Sequence, residues 1–133
     1  MPTTTITLPG RTEARTPMDT IPRFLNGVYA FTGQGLTRPL PLDDRLAYAV
    51  PGDRRAQLIY FRGGNSADAL VSVLLMRDGR PMRHFPVGAK AACHVPLVVV
   101  EDLHPETRIE VCIAAPEGVS GEVVLDVGLI EIV

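Results

Sequence analysis

Apolar side chains crowd the second half of the chain into short runs, residues 71–76, 95–100, 109–113 and 123–127, each ended by turn-forming residues. Runs of this length, rich in Val, Ile and Leu and punctuated by Gly, Pro, Asn and Asp, predict β-strands. Two stretches, Leu70 to Met76 and 95–100, are apolar at almost every position. A strand with one wet face alternates, so these two predict that something covers their second face.

The pattern predicts eight strands. The first lies within 21–37, where Ile21, Phe24, Leu25, Val28, Tyr29 and Phe31 supply either a strand or one helical turn leading into it. The others fall at 46–50, 57–62, 70–77, 82–87, 91–100, 107–115 and 122–133. Between the fourth and fifth stands Asp78-Gly79, the dipeptide best suited to a tight hairpin because both residues tolerate positive φ. In the last strand Val123, Leu125 and Val127 share one parity and Ile130 and Ile132 the other, which predicts a bulge at Gly128 that resets the register. Seven or eight short strands without a convincing long helix predict an all-β fold, a two-sheet antiparallel β-sandwich, with an open barrel as the alternative. The sandwich occupies 21–133 as one domain. Residues 1–20, rich in Thr and Pro, read as a flexible N-terminal arm, whose β-prone stretch from Thr3 to Leu8 is either disordered or an added strand on a sheet edge.

The strand order from Leu46 onward resembles the galactose-binding-like jelly roll of small carbohydrate-binding modules. The resemblance rests on residues 58–65, on the hairpin at Asp78-Gly79 and on the ending 125–132. It implies a sandwich with a ligand rim built from loops, aromatic platforms and acidic or Asn ligands. This chain departs from that pattern in lacking Trp, so that Tyr29, Tyr48 and Tyr60 are the only large polar aromatics.

Composition narrows the partners. With 13 Lys and Arg against 15 Asp and Glu, the chain has no electrostatic pull on a phosphate backbone, which argues against nucleic acid and anionic membrane. No run approaches the ~20 apolar residues of a membrane span, and residues 1–10 lack a basic segment followed by an apolar one, so the chain is expected in the cytoplasm. Cys93 and Cys112 are too few for a disulfide framework and read as buried thiols.

Candidate chemistry is sparse. Gly63, Gly64, Asn65, Ser66 and Asp68 combine close backbone approach with polar groups and form the candidate ligand rim, alongside 118–121; the same residues also make an ordinary turn. Met82, His84 and His94, with Cys93, are the candidate metal ligands, suited to copper(I) or zinc, although no close ligand spacing joins them. Met82 and His84 are expected on one strand face. Cys93 and Cys112 with His84, His94 and His104 are the only nucleophile and base candidates, and nothing pairs them, so no enzyme and no cofactor are expected. Arg77, Arg80 and Arg83 are expected close together across the hairpin, as a solvated edge that deters unwanted strand pairing or else as an anion or subunit contact.

What remains is association. Double-sided apolarity at Leu70, Leu74, Met76, Val98 and Val100, flanked by Arg77 and Arg83, predicts an interface with a second copy or with another protein subunit. A small ligand at the rim is the alternative reading and a metal carrier the second alternative.

Overall fold

The computed structural model describes residues 19–133, and the N-terminal arm with its Thr3 to Leu8 stretch lies outside them, apart from Thr20, which opens the first strand. Ten antiparallel strands build two five-stranded sheets. They are β1 (Thr20–Thr32), β2 (Leu40–Pro41), β3 (Ala47–Ala49), β4 (Arg55–Asn65), β5 (Val71–Arg77), β6 (Arg80–Val87), β7 (Ala92–Pro96), β8 (Asp102–Leu103), β9 (Arg108–Ala114) and β10 (Ser120–Ile132). Sheet I runs β1-β10-β4-β7, with β8 also on β4; sheet II runs β2-β9-β5-β6, with β3 also on β9. Seven strands have five residues or more, and the three short ones pair at sheet margins. The fold is a β-sandwich.

The inner faces supply one core. Leu58, Phe61, Leu125, Val127 and Leu129 of sheet I meet Val73, Leu75, Phe85, Val111 and Ile113 of sheet II. At its centre Phe61 and Phe85 stack across the sheets, rings nearly parallel and 4.2 Å apart. Alternation fixes which residues point inward.

The hairpin at Asp78-Gly79 forms as the sequence predicts. Both residues take positive φ, 49° and 83°, and the turn is locked where the Asp78 carboxylate accepts from the Arg108 backbone N–H at 2.9 Å. The first segment is all strand, with no helical turn. Its helix-like spacing arises because β1 carries apolar residues on both faces: Leu25, Tyr29 and Phe31 inward, Phe24 and Val28 outward.

The bulge predicted at Gly128 exists, but the extra residue belongs to β4. Gly128 pairs with Tyr60 and Leu129 with Leu58, leaving Ile59 unpaired. Parity therefore switches in β4, from Ala56 and Leu58 to Phe61, Gly63 and Asn65, while β10 keeps its inward series unbroken through Glu131. The consequence is a buried carboxylate. Glu131, 1% exposed, accepts hydrogen bonds from Tyr48 Oη at 2.5 Å, Arg23 Nε at 3.1 Å and Arg54 Nη1 at 3.0 Å. Because Tyr48 belongs to sheet II, the cluster ties the two sheets together. Burial pushes the Glu131 carboxyl up, yet the three donors outweigh it and hold it below the usual carboxylate range.

The stretch 91–100 is not strand throughout. β7 ends at Pro96, which has no N–H for the ladder, and only one more backbone bond follows, from Leu97 N–H to the Ile59 carbonyl at 2.9 Å. Leu97 anchors into the core and Val98, Val99 and Val100 form an exposed bend.

Candidate functional site

The outer face of sheet I carries the largest display of uncovered apolar side chains on adjacent strands. Phe24 and Val28 of β1 are 54% and 58% exposed, and Val124 of β10, directly opposite Val28, is 54% exposed. Ile130 and Ile132 continue the row half-buried. In the centre the Tyr60 ring lies flat over Gly128, where a Cβ would stand 2.1 Å from the ring edge, so only glycine admits it. The Ile59 bulge turns Tyr60 to this side.

A polar band crosses the face beside Tyr60. Asn26, Asp126, Arg62 and His94 are cross-strand neighbours on β1, β10, β4 and β7. Tyr60 Oη donates to Asp126 Oδ2 at 3.0 Å, Arg62 lies over the Tyr60 ring at 5.3 Å, and His94 meets that ring edge-on at 6.1 Å. Desolvation, then the Asp126 carboxylate, raise the Tyr60 pKa and keep the phenol a donor. Arg62 is only loosely joined to Asp126, at 4.0 Å, and is 58% exposed. Asp126 Oδ1 has no hydrogen-bond partner although it is buried, the one such side-chain atom among the described residues. An acceptor left in that state costs about 1–3 kcal/mol and favours any arrangement that brings it a donor.

One of the two edges of this sheet is closed to strand addition, midway along β1. Gly27 takes φ of +135°, Tyr29 folds back so that its hydroxyl donates to the Asn26 carbonyl at 2.7 Å, and Arg45 covers the Tyr29 ring at 5.3 Å. A kinked edge with a capped carbonyl is a poor template for another strand. The flat face has no such guard.

The residues singled out from sequence fall elsewhere. Gly63, Gly64 and Asn65 lie within β4, not in a rim loop. Asn65 is spent inside the fold: its Nδ2 donates to the carbonyls of Ala69 at 2.9 Å and Gly88 at 3.1 Å, and its Oδ1 accepts from the Ala67 N–H. Ser66 Oγ accepts from the Glu122 N–H at 2.8 Å, while Asp68 is exposed beside Lys90 at 3.4 Å. The proposed rim is a strand end and its closure, because the groups that suit a ligand also suit a buried turn. Met82 and His84 do not share a face. Met82 is the extra residue of a bulge opposite Leu75 and Met76 and packs on the main core, whereas His84 lies across from outward-facing Leu74. His94 is on the other sheet. Among the described residues no three His, Cys, Asp or Glu side chains stand close enough to share a metal ion.

The interface predicted on β5 is closed by the chain itself. Leu74 is buried on the outer face of sheet II with Cys112 and Ala114, and Met76 packs against them half-buried. Leu70, just before β5, and the bend at Val98 and Val100 remain exposed, so of the predicted set they alone stay open to a partner while Leu74 is closed. Arg83 leaves Arg77 and Arg80, which face each other across the hairpin, and turns to Glu101 at 3.8 Å and the Val99 carbonyl at 3.4 Å, pinning that bend. Arg77 and Arg80 instead line an open pocket of about 490 Å³ with Asp78, Pro81 and Met82. Cys93 and Cys112 are free thiols on different sheets, and burial pushes Cys112 up to about 11.

No family model matches this chain and no curated protein matches it. Among solved structures, the chain is similar to one from the infectious bursal disease virus Gt strain, at 12% identity and a TM-score of 0.51, over 99% of this chain and 38% of that one. The Gx strain of the same virus aligns at 15% identity and a TM-score of 0.43, over 98% and 41%. An exo-β-1,3-galactanase from Phanerochaete chrysosporium aligns at 8% identity and a TM-score of 0.34, over 90% and 32%. The chain thus spans well under half of the chains it matches. The first likeness supports the fold, a jelly-roll-like β-sandwich, and the other two are too distant to add to it. No helix among the described residues is long and apolar enough to cross a membrane.

Proposed function

We propose that this chain is a non-catalytic β-sandwich that works by association, through the outer face of sheet I. The observation that carries the reading is the cluster of Phe24, Val28 and Val124, each more than half exposed, on two adjacent strands of one flat face. Exposed apolar side chains gathered on one sheet face, here on either side of the Asn26, Asp126 and Arg62 row, are the setting in which protein contact sites are found. Tyr60 and Arg62 at its middle are residue types enriched in the anchors of such contacts.

Catalysis finds little support. The buried thiol at Cys112 is held protonated, and the strongest carboxylate cluster, at Glu131, has its oxygens engaged by Tyr48, Arg23 and Arg54. Two free thiols agree with a reducing compartment, so the cytoplasm belongs to the same proposal.

The test is the pair F24K and V124K, purified beside the unaltered chain and compared by sedimentation velocity and by capture of partners from the source cells. Both side chains are largely in water, so melting temperature should hold within a few degrees while association falls at least tenfold. Association unchanged in both variants sinks the reading.

A further inference from the structure

Resting on that reading, we propose that the partner is a second copy of this chain, stacked on sheet I about a twofold axis that runs along the strands between β10 and β4. The cross-strand registers line residues up in rows over β1, β10, β4 and β7. One row is Val28, Val124, Gly64 and Ala92, and the next is Asn26, Asp126, Arg62 and His94. A twofold axis above the gap between the two central strands exchanges β10 with β4 and β1 with β7. Each row then falls on itself in reverse.

That reversal matches size with size. Val124 falls on the partner's Gly64 and Val28 on the partner's Ala92, so the exposed side chains of one half of the face meet the smallest residues of the other half. It also matches charge with charge. Asp126 falls opposite the partner's Arg62, and Arg62 opposite the partner's Asp126. Each half-exposed guanidinium then meets a second carboxylate, and the part-exposed Asp126 carboxylate a second guanidinium. A self-complementary patch is what a twofold contact requires. Stacked sheets cross at about 30°, so the match is tightest near the axis, where Asp126, Arg62, Val124 and Gly64 lie. Strand spacing near 4.8 Å and a rise near 3.4 Å per residue give the part of the face that overlaps, β10 with β4 and β1 with the shorter β7, roughly 500 Å² per copy, at the lower limit for a specific contact. The guarded edge at Tyr29 favours stacking of faces over pairing of edges.

The experiment is a charge exchange read by sedimentation velocity and native mass spectrometry on the full chain. The unaltered protein is expected to be dimeric at tens of micromolar, and R62D and D126R each monomeric. An equimolar mixture of the two variants is expected to recover a heterodimer. Within either variant positions 62 and 126 carry like charges, so only contacts between copies can restore opposite ones. A second variant, Gly64→Leu, leaves the single chain room, since the nearest side-chain atoms to its Cβ lie at 3.7 and 4.0 Å, yet it fills the seat of the partner's Val124. It is expected to raise the dimer dissociation constant at least tenfold with melting unchanged.

A monomeric unaltered chain overturns the second copy. If that monomer still holds a foreign protein in a manner that F24K abolishes, the association reading stands and only the choice of partner falls. A dimer that survives R62D, D126R and Gly64→Leu overturns this face as its seat. So does a mixture of folded variants that stays monomeric.

Discussion

The two sheets present opposite kinds of outer surface, and the most nearly unbroken apolar strand, β5, lies on the sheet whose outer face is closed. Sheet II carries the nearly unbroken run of β5, yet its outward Leu74 is 3% exposed because Cys112 and Ala114 of β9 pack beside it. Sheet I carries outward apolar residues on β1 and β10 with no such outer cluster around them, and it is there that Phe24, Val28 and Val124 stand in water. At one end sheet I is even inverted: Arg23 and Glu131 point inward, while Phe24 and Ile130 point outward. A run that is apolar on both faces can close over itself. Outward apolar residues set between polar ones, as Val28 and Val124 are beside Asn26 and Asp126, have no such recourse, and they mark the surface better.

The inversion is the first place to press. Replacing Glu131 with Gln removes a buried charge that faces two arginines and is expected to cost about 3 kcal/mol, the low end for a broken buried pair because Arg23 is half in solvent and screened. Urea unfolding measures it. The pH dependence carries the sign. With the folded pKa of Glu131 below its unfolded value near 4.5, the carboxylate's contribution is complete above that value and is lost as pH falls through the folded one. Tyr48 adds the opposite limb: burial first, then the Glu131 carboxylate, raise its pKa above 10.0, so its contribution is present below pH 10 and lost as pH rises through the folded value. Stability of E131Q should therefore fall less steeply below pH 4.5 than that of the unaltered chain. Equal acid limbs would show that the cluster is not the tie between the sheets.

Sheet II offers the next test. Leu74→Ala is expected to cost about 2 kcal/mol, the lower end for a buried leucine because the outer cluster is small and can settle around the gap. The dimer should be untouched. A stability loss below 0.5 kcal/mol, or a loss of association, would mean that this face is wetter or busier than the packing implies.

What the sequence could and could not reveal follows from which forces are local. The hairpin at Asp78-Gly79 was legible because positive φ is a property of two adjacent residues. So was the two-sheet sandwich, since short β-prone runs broken by turns leave few other ways to bury one side of each strand. The exposed apolar face of sheet I was not, because exposure of an outward residue depends on partners distant in the chain: Val28 meets Val124, whereas Leu74 meets Cys112. The bulge shows the same limit. Gly128 signalled it, but whether β10 or β4 took the extra residue depended on Tyr60 needing a seat over the glycine, and that choice sent Glu131 inward. In β1 the doubled pairs Phe24-Leu25 and Val28-Tyr29 did hold the signal, an apolar residue at each parity, but read alone they imitate a helical period. The ligand rim failed for a different reason. Asn65 satisfies buried carbonyls with the same amide that would have recognised a ligand, and composition does not distinguish the two uses.

The smallest expected effect gives the sharpest contrast. Phe24→Ala removes as much apolar surface as many core truncations, yet over half of that side chain is already in water and it belongs to neither buried cluster. Its stability cost should stay within about 0.5 kcal/mol, against about 2 kcal/mol for Leu74→Ala. Association should respond the other way, weakened by Phe24→Ala and indifferent to Leu74→Ala. Measured together by urea unfolding and sedimentation velocity, the two substitutions separate a side chain that holds the sandwich from one that is held in reserve for a contact. If Phe24→Ala proves as destabilising as Leu74→Ala, Phe24 is already covered in the free chain, and the face of sheet I loses its claim as the site of association.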